Sequence, residues 1–319
     1  MSDDYLWNRS GPPDPEIEKL EQLLAPLGHD APLDELRLRR SRRTLWIVLG
    51  AGVAVAAAVV IYIALPKAST ACTGTSGFAF SGRGGDVTCA GASVAKGVLP
   101  VGGALDTGAH EASLSIADIG HADLGTHTRV RLEETGEHHH HLALDEGKLH
   151  AIVSAPPRLF EVSTKHTNVV DLGCEYTIEV DANGAGSIVV LHGKVELATG
   201  NGAIVVAPLG THARILAGNR PGVPHTDRNR ALVTAVDAYE RDAPGALAVV
   251  LAAAEPSDAI TIVGLAAIDI AHRAEILRRL AELSPPPGDI TVEQAAVGGA
   301  PLDEWREDVV SSYFGLWRP

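Results

Sequence analysis

The run Leu45 to Leu65, LWIVLGAGVAVAAAVVIYIAL, contains no charged side chain and constrains this chain more than any other stretch. At about 1.5 Å of rise per residue, a helix of this length reaches about 30 Å, the thickness of a bilayer's hydrocarbon core. It predicts a single transmembrane helix over residues 44–65. No polar face exists at a helical period, which argues against a buried helix of a soluble domain. Arg37, Arg39, Arg40, Arg42 and Arg43 precede the run, and Lys67 is the only basic residue close behind it. Because excess Lys and Arg stay on the cytoplasmic side, the expected orientation is N-in, C-out. Trp46 and Tyr62 fall near the two ends, where amphipathic rings suit the interface. A cleaved leader would place a shorter apolar core near the N-terminus. Ser69-Thr70-Ala71-Cys72 has the outline of a lipoprotein cleavage site but lacks the Leu three residues before the Cys. Gly50, Ala54 and Ala58 recur every four residues, a spacing that allows two spans to pack as a homodimer.

Residues 1–43 then form a cytoplasmic tail. Asp14 reads as an N-cap, Pro15 as the first helical residue, and Glu16 and Glu18 as a first-turn acidic pair. Ile17, Leu20, Leu24 and Leu27 follow at spacings of three and four, an apolar stripe that one short helix cannot bury alone. Together with Trp7, which lies in the apolar cluster Tyr5-Leu6-Trp7, these are the candidate partner-binding residues. The alternative is a helix lying on the membrane surface, which its acidic polar face disfavours on anionic lipid.

Residues 66–96 are rich in Gly, Ser, Thr and Ala, and Gly82, Gly84 and Gly85 lie close together, so a loosely ordered linker is expected. Cys72 and Cys89 fall on the side of the membrane where disulfides persist. A bridge between them closes a loop worth about 3 kcal/mol in the chain-entropy picture. Cys174 is left over, as a buried and inert thiol.

From Gly97 to about residue 226 apolar residues alternate: Leu114, Ile116; Val130, Leu132; Leu142, Leu144; Phe160, Val162; Leu172, Tyr176, Ile178, Val180; Ile188, Val190; Val195, Leu197; Val205. Turn residues punctuate them, and Asp181-Ala182-Asn183-Gly184 signals a hairpin. Many short strands predict an all-β domain, a solenoid, a sandwich or a barrel. Within it, Leu142-x-Leu144-x-x-Gly147-x-Leu149, Phe160-x-Val162-x-Thr164, Val170-Asp171-Leu172-Gly173-Cys174-x-Tyr176 and Val189-x-x-x-Gly193-x-Val195 occur in order. This series resembles the FecR-type extracytoplasmic domain over about 100–216, with Cys174 where Thr is usual and Tyr176 where Phe is usual. The first motif corresponds in that family to a strand ending in a Gly turn. The resemblance implies a membrane-bound regulator that relays an outside signal to an extracytoplasmic-function sigma factor, with an extracytoplasmic protein or ligand as its input. The rival reading is a membrane-anchored binding or scaffold protein without a sigma-factor partner.

Twelve of the fourteen histidines lie between His110 and His225, and His138 to His141 are consecutive. His138 and His140 are the candidate metal ligands. Adjacent strand residues point to opposite faces, however, and the acidic residues before them favour a solvated loop. No metal or cofactor is expected. The formal net charge of -14 argues against a nucleic-acid partner. No catalytic motif emerges: Gly-x-Ser-x-Gly, His-Glu-x-x-His and Cys-x-x-Cys are all missing.

Beyond Asn229 the period returns to 3.6. Helices are expected around Leu232, Val236 and Tyr239; around Leu247 and Leu251; from Ile260 to Ile270; around Ile276, Leu280 and Leu283; and from Pro301 through Leu302, Trp305 and Val309. Residues 227–319 thus predict a small all-α domain, a bundle or stacked helix pairs, with Trp305, Phe314 and Trp317 as core anchors.

Overall fold

The computed structural model describes residues 19, 72, 74, 76–200, 202–218 and 220–316. The predicted span lies outside them, and among the described residues no helix is long and apolar enough to cross a membrane.

Among the described residues, sixteen strands form two sheets. The front sheet runs β4 (Lys96–Leu99), β1 (Phe78–Arg83), β6 (Glu111–Ile116), β7 (Gly120–Leu124), β9 (His140–Val153), β12 (Glu175–Val180), β13 (Gly186–His192) and β16 (His212–Ile215), antiparallel throughout. The back sheet runs β3 (Ala92–Val94), β2 (Val87–Cys89), β5 (Ala104–Asp106), β8 (Arg129–Thr135), β9 again, β10 (Phe160–Ser163), β11 (Asn168–Asp171), β14 (Lys194–Ala198) and β15 (Ile204–Pro208). Its one parallel pair is β9 with β10. Both sheets end in open edges, so no closed barrel forms among the described residues. Phe78, Leu114, Leu124, Leu149 and Tyr176 from the front and Leu105, Leu132, Leu142, Phe160 and Leu197 from the back meet in one apolar core.

β9 belongs to both layers. Its first half pairs with β8 and β10, and from Gly147 onward it pairs with β7 and β12. Gly147 sits at φ +96°, and a Cβ there would overlap Thr128. A side chain is therefore excluded for two reasons, conformation and space. The Thr128 hydroxyl clasps the bend, accepting the Lys148 N–H at 3.0 Å. The family pattern led us to expect a strand ending at Gly147; instead the strand bends there and changes sheet.

The linker expected over 66–96 is also corrected, because β1, β2, β3 and the start of β4 occupy most of residues 78–96. Phe78, Phe80, Val87 and Cys89 do alternate inward. Some of the glycines that gave the stretch a spacer-like composition are positions of close approach: a Cβ on Gly82 would overlap the Gly85 carbonyl, and one on Gly85 would strike the His110 ring.

The helical part comprises α1 (Arg230–Glu240), α2 (Ala246–Ala253), α3 (Ala259–Ile268), α4 (Arg273–Leu283), α5 (Val292–Val297) and α6 (Ala300–Leu316). Asn229 caps α1, accepting the Leu232 N–H at 3.1 Å, while its amide donates to Ala253 O and to Asp258 Oδ2. α3 ends at Ile268, so Ile270 is not helical and stands 72% exposed. α5 was not anticipated; its signal is the capping box of Thr291 and Gln294. Trp305 is fully buried at the centre of this second core and donates its indole N–H to Ser284 O at 3.2 Å. Phe314 packs partly buried against it, and Trp317 lies outside the described residues.

The two cores meet at β15. Val205 and Ala207 point into the β core, and Val206 between them joins the helical core, as the period-two alternation of a strand dictates. The Tyr313 hydroxyl donates to Leu209 O at 3.0 Å just beyond the strand.

Candidate functional site

Trp7, Ile17, Leu20, Leu24 and Leu27 lie outside the described residues. Cys72 and Cys89 are joined in a disulfide, with Cα atoms 6.2 Å apart and both residues buried. Cys89 ends β2 in the back sheet, while the Cys72 carbonyl accepts the Val98 N–H at 2.7 Å from β4 in the front sheet. The bridge thus fastens the beginning of the β region to both layers.

His138 and His140 are not brought together. His138 is exposed in the turn before β9, whereas His140 is buried at the start of that strand. The His140 ring lies 5.7 Å from that of Phe78, and its Nδ1 lies 2.8 Å from Thr135 Oγ1. Desolvation holds its imidazole below the ordinary range. The solvated loop expected for the run therefore applies to its first part only, since His140 and His141 are strand residues. Among the described residues no three His, Cys, Asp or Glu side chains are grouped to hold a metal ion.

The Asp-Leu-Gly-Cys motif builds a buried polar turn between β11 and β12. Gly173 at φ +86° interrupts the alternation, so Asp171 is buried and Leu172 only partly so. Asp171 Oδ1 accepts the Gly173 N–H at 2.6 Å, and Oδ2 accepts the Cys174 thiol at 2.8 Å. Burial pushes the Asp171 carboxyl above its ordinary range and raises the Cys174 thiol as well. A thiol held protonated is a poor nucleophile and a poor metal ligand.

The surface best suited to recognition is the outer face of the front sheet. There Ile152 on β9 and Val189 and Leu191 on β13 stand exposed among outward-facing polar residues. His121 lies opposite Ile152, His150 lies opposite Asp123 and Thr177, and Val189 lies opposite His212. His150 Nε2 is 3.0 Å from Glu175 Oε1, and Asp123 pairs with Arg83 at 2.8 Å. The excess of histidine in the sequence thus collects partly on one face. Sequence reasoning missed this because the residues come from separate strands and assemble only through register. The chemistry they offer is apolar contact and hydrogen bonding to a bound partner.

Residues 104–196, from the start of β5 into β14, match the family model described as FecR protein. No curated protein matches the chain. Two crystal structures of a proposed anti-sigma factor from Parabacteroides distasonis ATCC 8503, at 2.50 and 1.65 Å resolution, are similar at 18% identity, with TM-scores of 0.34 and 0.32. The matches cover 41% and 40% of this chain and 62% and 60% of those chains, so this chain spans less than two thirds of their length. The bent strand β9 and the Asp171 turn both fall within the family match, and residues 104–196 are a FecR domain.

Proposed function

We propose that the chain is a single-pass membrane regulator that relays an extracytoplasmic signal to an extracytoplasmic-function sigma factor. The observation that carries this reading is the FecR domain at residues 104–196, in a chain whose sequence also predicts one membrane span and a cytoplasmic helix with an unburied apolar stripe. On this reading the β and helical regions face outward, the outer face of the front sheet meets the input partner, and the tail carries the output. The chain acts by binding and not by catalysis. The disulfide gives the β region a fixed starting point seven residues beyond the end of the predicted span.

The test is capture of the full-length chain from membranes of its own cells, beside a Leu20→Asp/Leu24→Asp variant. Co-capture of a sigma factor with the wild type, lost in the variant, is the expected result. Equal recovery of the sigma factor with both would move its binding site away from the stripe. Recovery with neither would overturn the regulator reading in favour of a membrane-anchored scaffold.

A further inference from the structure

The segment 220–229 passes between β16 and α1 and is tied to both. On one side it makes bridge pairs with β16: His212 and His225 exchange backbone hydrogen bonds of 2.9 and 3.0 Å, and Ile215 pairs with Pro221. A Cβ on Gly222 would overlap the Arg214 backbone, so the contact is close along its length. On the other side the Val223 N–H donates to Glu240 Oε1 at 2.8 Å, and the Arg220 guanidinium donates to Glu240 O at 2.7 Å and to Asp242 at 2.9 Å. The segment is a strap joining the last β strand to the first helix.

Two imidazoles lie at the centre of the strap's β side. The His225 ring sits edge-on to that of His212 with centroids 4.2 Å apart, and His225 is only 4% exposed. Its Nδ1 is 2.8 Å from Val223 O, a pure acceptor, so Nδ1 carries the hydrogen and any added proton goes to Nε2. That proton would place a full charge on a buried ring beside a second titratable ring.

We propose that the His212–His225 pair makes this strap an acid-sensitive joint, which holds the strap to β16 when both rings are neutral and releases it from that strand when they are charged. Opening would free the strap's bridge to β16 without dismantling either core. The inference stands apart from the sigma-factor reading, because it concerns the joint's response and not its consumer.

The other charges around the pair bear on its sign. From β16 come His212 itself and Arg214; from the strap come Asp227, 3.4 Å from His212 Nε2, and Arg220; from α1 come Asp237 and the buried Glu240. α3, which packs on Pro224 through Gly264, contributes no titratable side chain. Burial is the main cause that holds His225 below its ordinary range. The open strap therefore takes up protons more readily than the closed one, and closure weakens as pH falls below the ordinary histidine value of about 6.5. Glu240 pulls the other way. Its carboxyl is raised by burial, so acidification favours its closed state as pH falls from that raised value to the ordinary carboxylate range. A variant that removes His225 and keeps Glu240 separates the two groups.

The test is hydrogen exchange of the full chain at about pH 7.5 and about pH 5.5, with rates corrected for intrinsic exchange. In the wild type, protection of the His212, Val223 and His225 amides should fall severalfold at the lower pH, while the β9–β12 ladder amides, such as Ile178, hold theirs. His225→Phe keeps a ring and removes the titration, and its strap should be at least as well protected at the lower pH as at the higher. Unchanged protection in the wild type, or the same loss in His225→Phe, overturns the proposal. If His225→Phe is unprotected already at the higher pH, His212→Gln decides. It retains the backbone bridge and should lose less protection than the wild type; an equal loss overturns the proposal.

Discussion

The β region assembles its core from short strands that each lend two or three alternating side chains, whereas the helical region closes around a single indole. In the β region no one residue dominates, and order is imposed at polar turns: Thr128 at the Gly147 bend, Asp171 at the Gly173 turn, and the disulfide at the entrance. In the helical region the short helices are rich in Ala, and Trp305 from α6 fills the space they leave. The difference teaches where each region is vulnerable. One should fail at its fastenings, the other at its centre.

Replacing Trp305 by Ala should have the largest effect. It removes a fully buried indole and strands the Ser284 carbonyl, at a cost of about 3–5 kcal/mol. Chemical denaturation followed by far-UV circular dichroism would register early loss of helix with strand signal retained. Simultaneous loss of both would mean that the β region depends on its neighbour and would erase the contrast.

Next in size is the disulfide. Cys72→Ser/Cys89→Ser opens a loop of sequence separation 17, and the unfolded chain regains entropy worth about 3 kcal/mol. The midpoint of the β transition should drop while that of the helical transition stays in place. A shift confined to the helices would refute the view that the β region is held at its entrance.

The smallest effect is expected at Tyr176, whose hydroxyl is buried without a hydrogen-bond partner among the described residues. Tyr176→Phe removes that unpaired group from the middle of the β core and should leave stability unchanged or raise it by up to about 1 kcal/mol. Clear destabilisation in thermal melts would show that the hydroxyl has a partner after all and that this core has a polar centre.

The same contrast explains what was legible in the sequence. Alternation identified Leu114, Val130, Leu142, Phe160, Tyr176, Ile188 and Val195 as inward residues, and each is buried. Helical spacing found five of the six C-terminal helices, and the Asp181 hairpin stands where its turn residues placed it, with Gly184 at φ +81°. Signals failed where glycine served packing instead of flexibility. The glycines near residue 84 disguised β1 and β2 as a spacer, and Gly147 read as a strand end. Leu172 was grouped with Tyr176 but is only partly buried, because β11 buries Val169 and Asp171 and the Gly173 turn shifts the alternation before β12. The histidine-bearing outer face and the strap were hidden for a different reason, since both depend on which strands become neighbours, and local pattern does not encode that.

β9 has a mechanical consequence. Two layers held together only by side-chain packing can slide past one another, because dispersion contacts resist separation more than shear. Here one continuous backbone passes from one layer to the other at Gly147, so sliding would require tearing a strand out of its ladders on both sides. A push applied to the outer face of the front sheet is therefore carried through a covalent chain into the back sheet, whose last strand, β15, already lends Val206 to the helices. The bend at Gly147 thus couples the two layers by backbone as well as by packing.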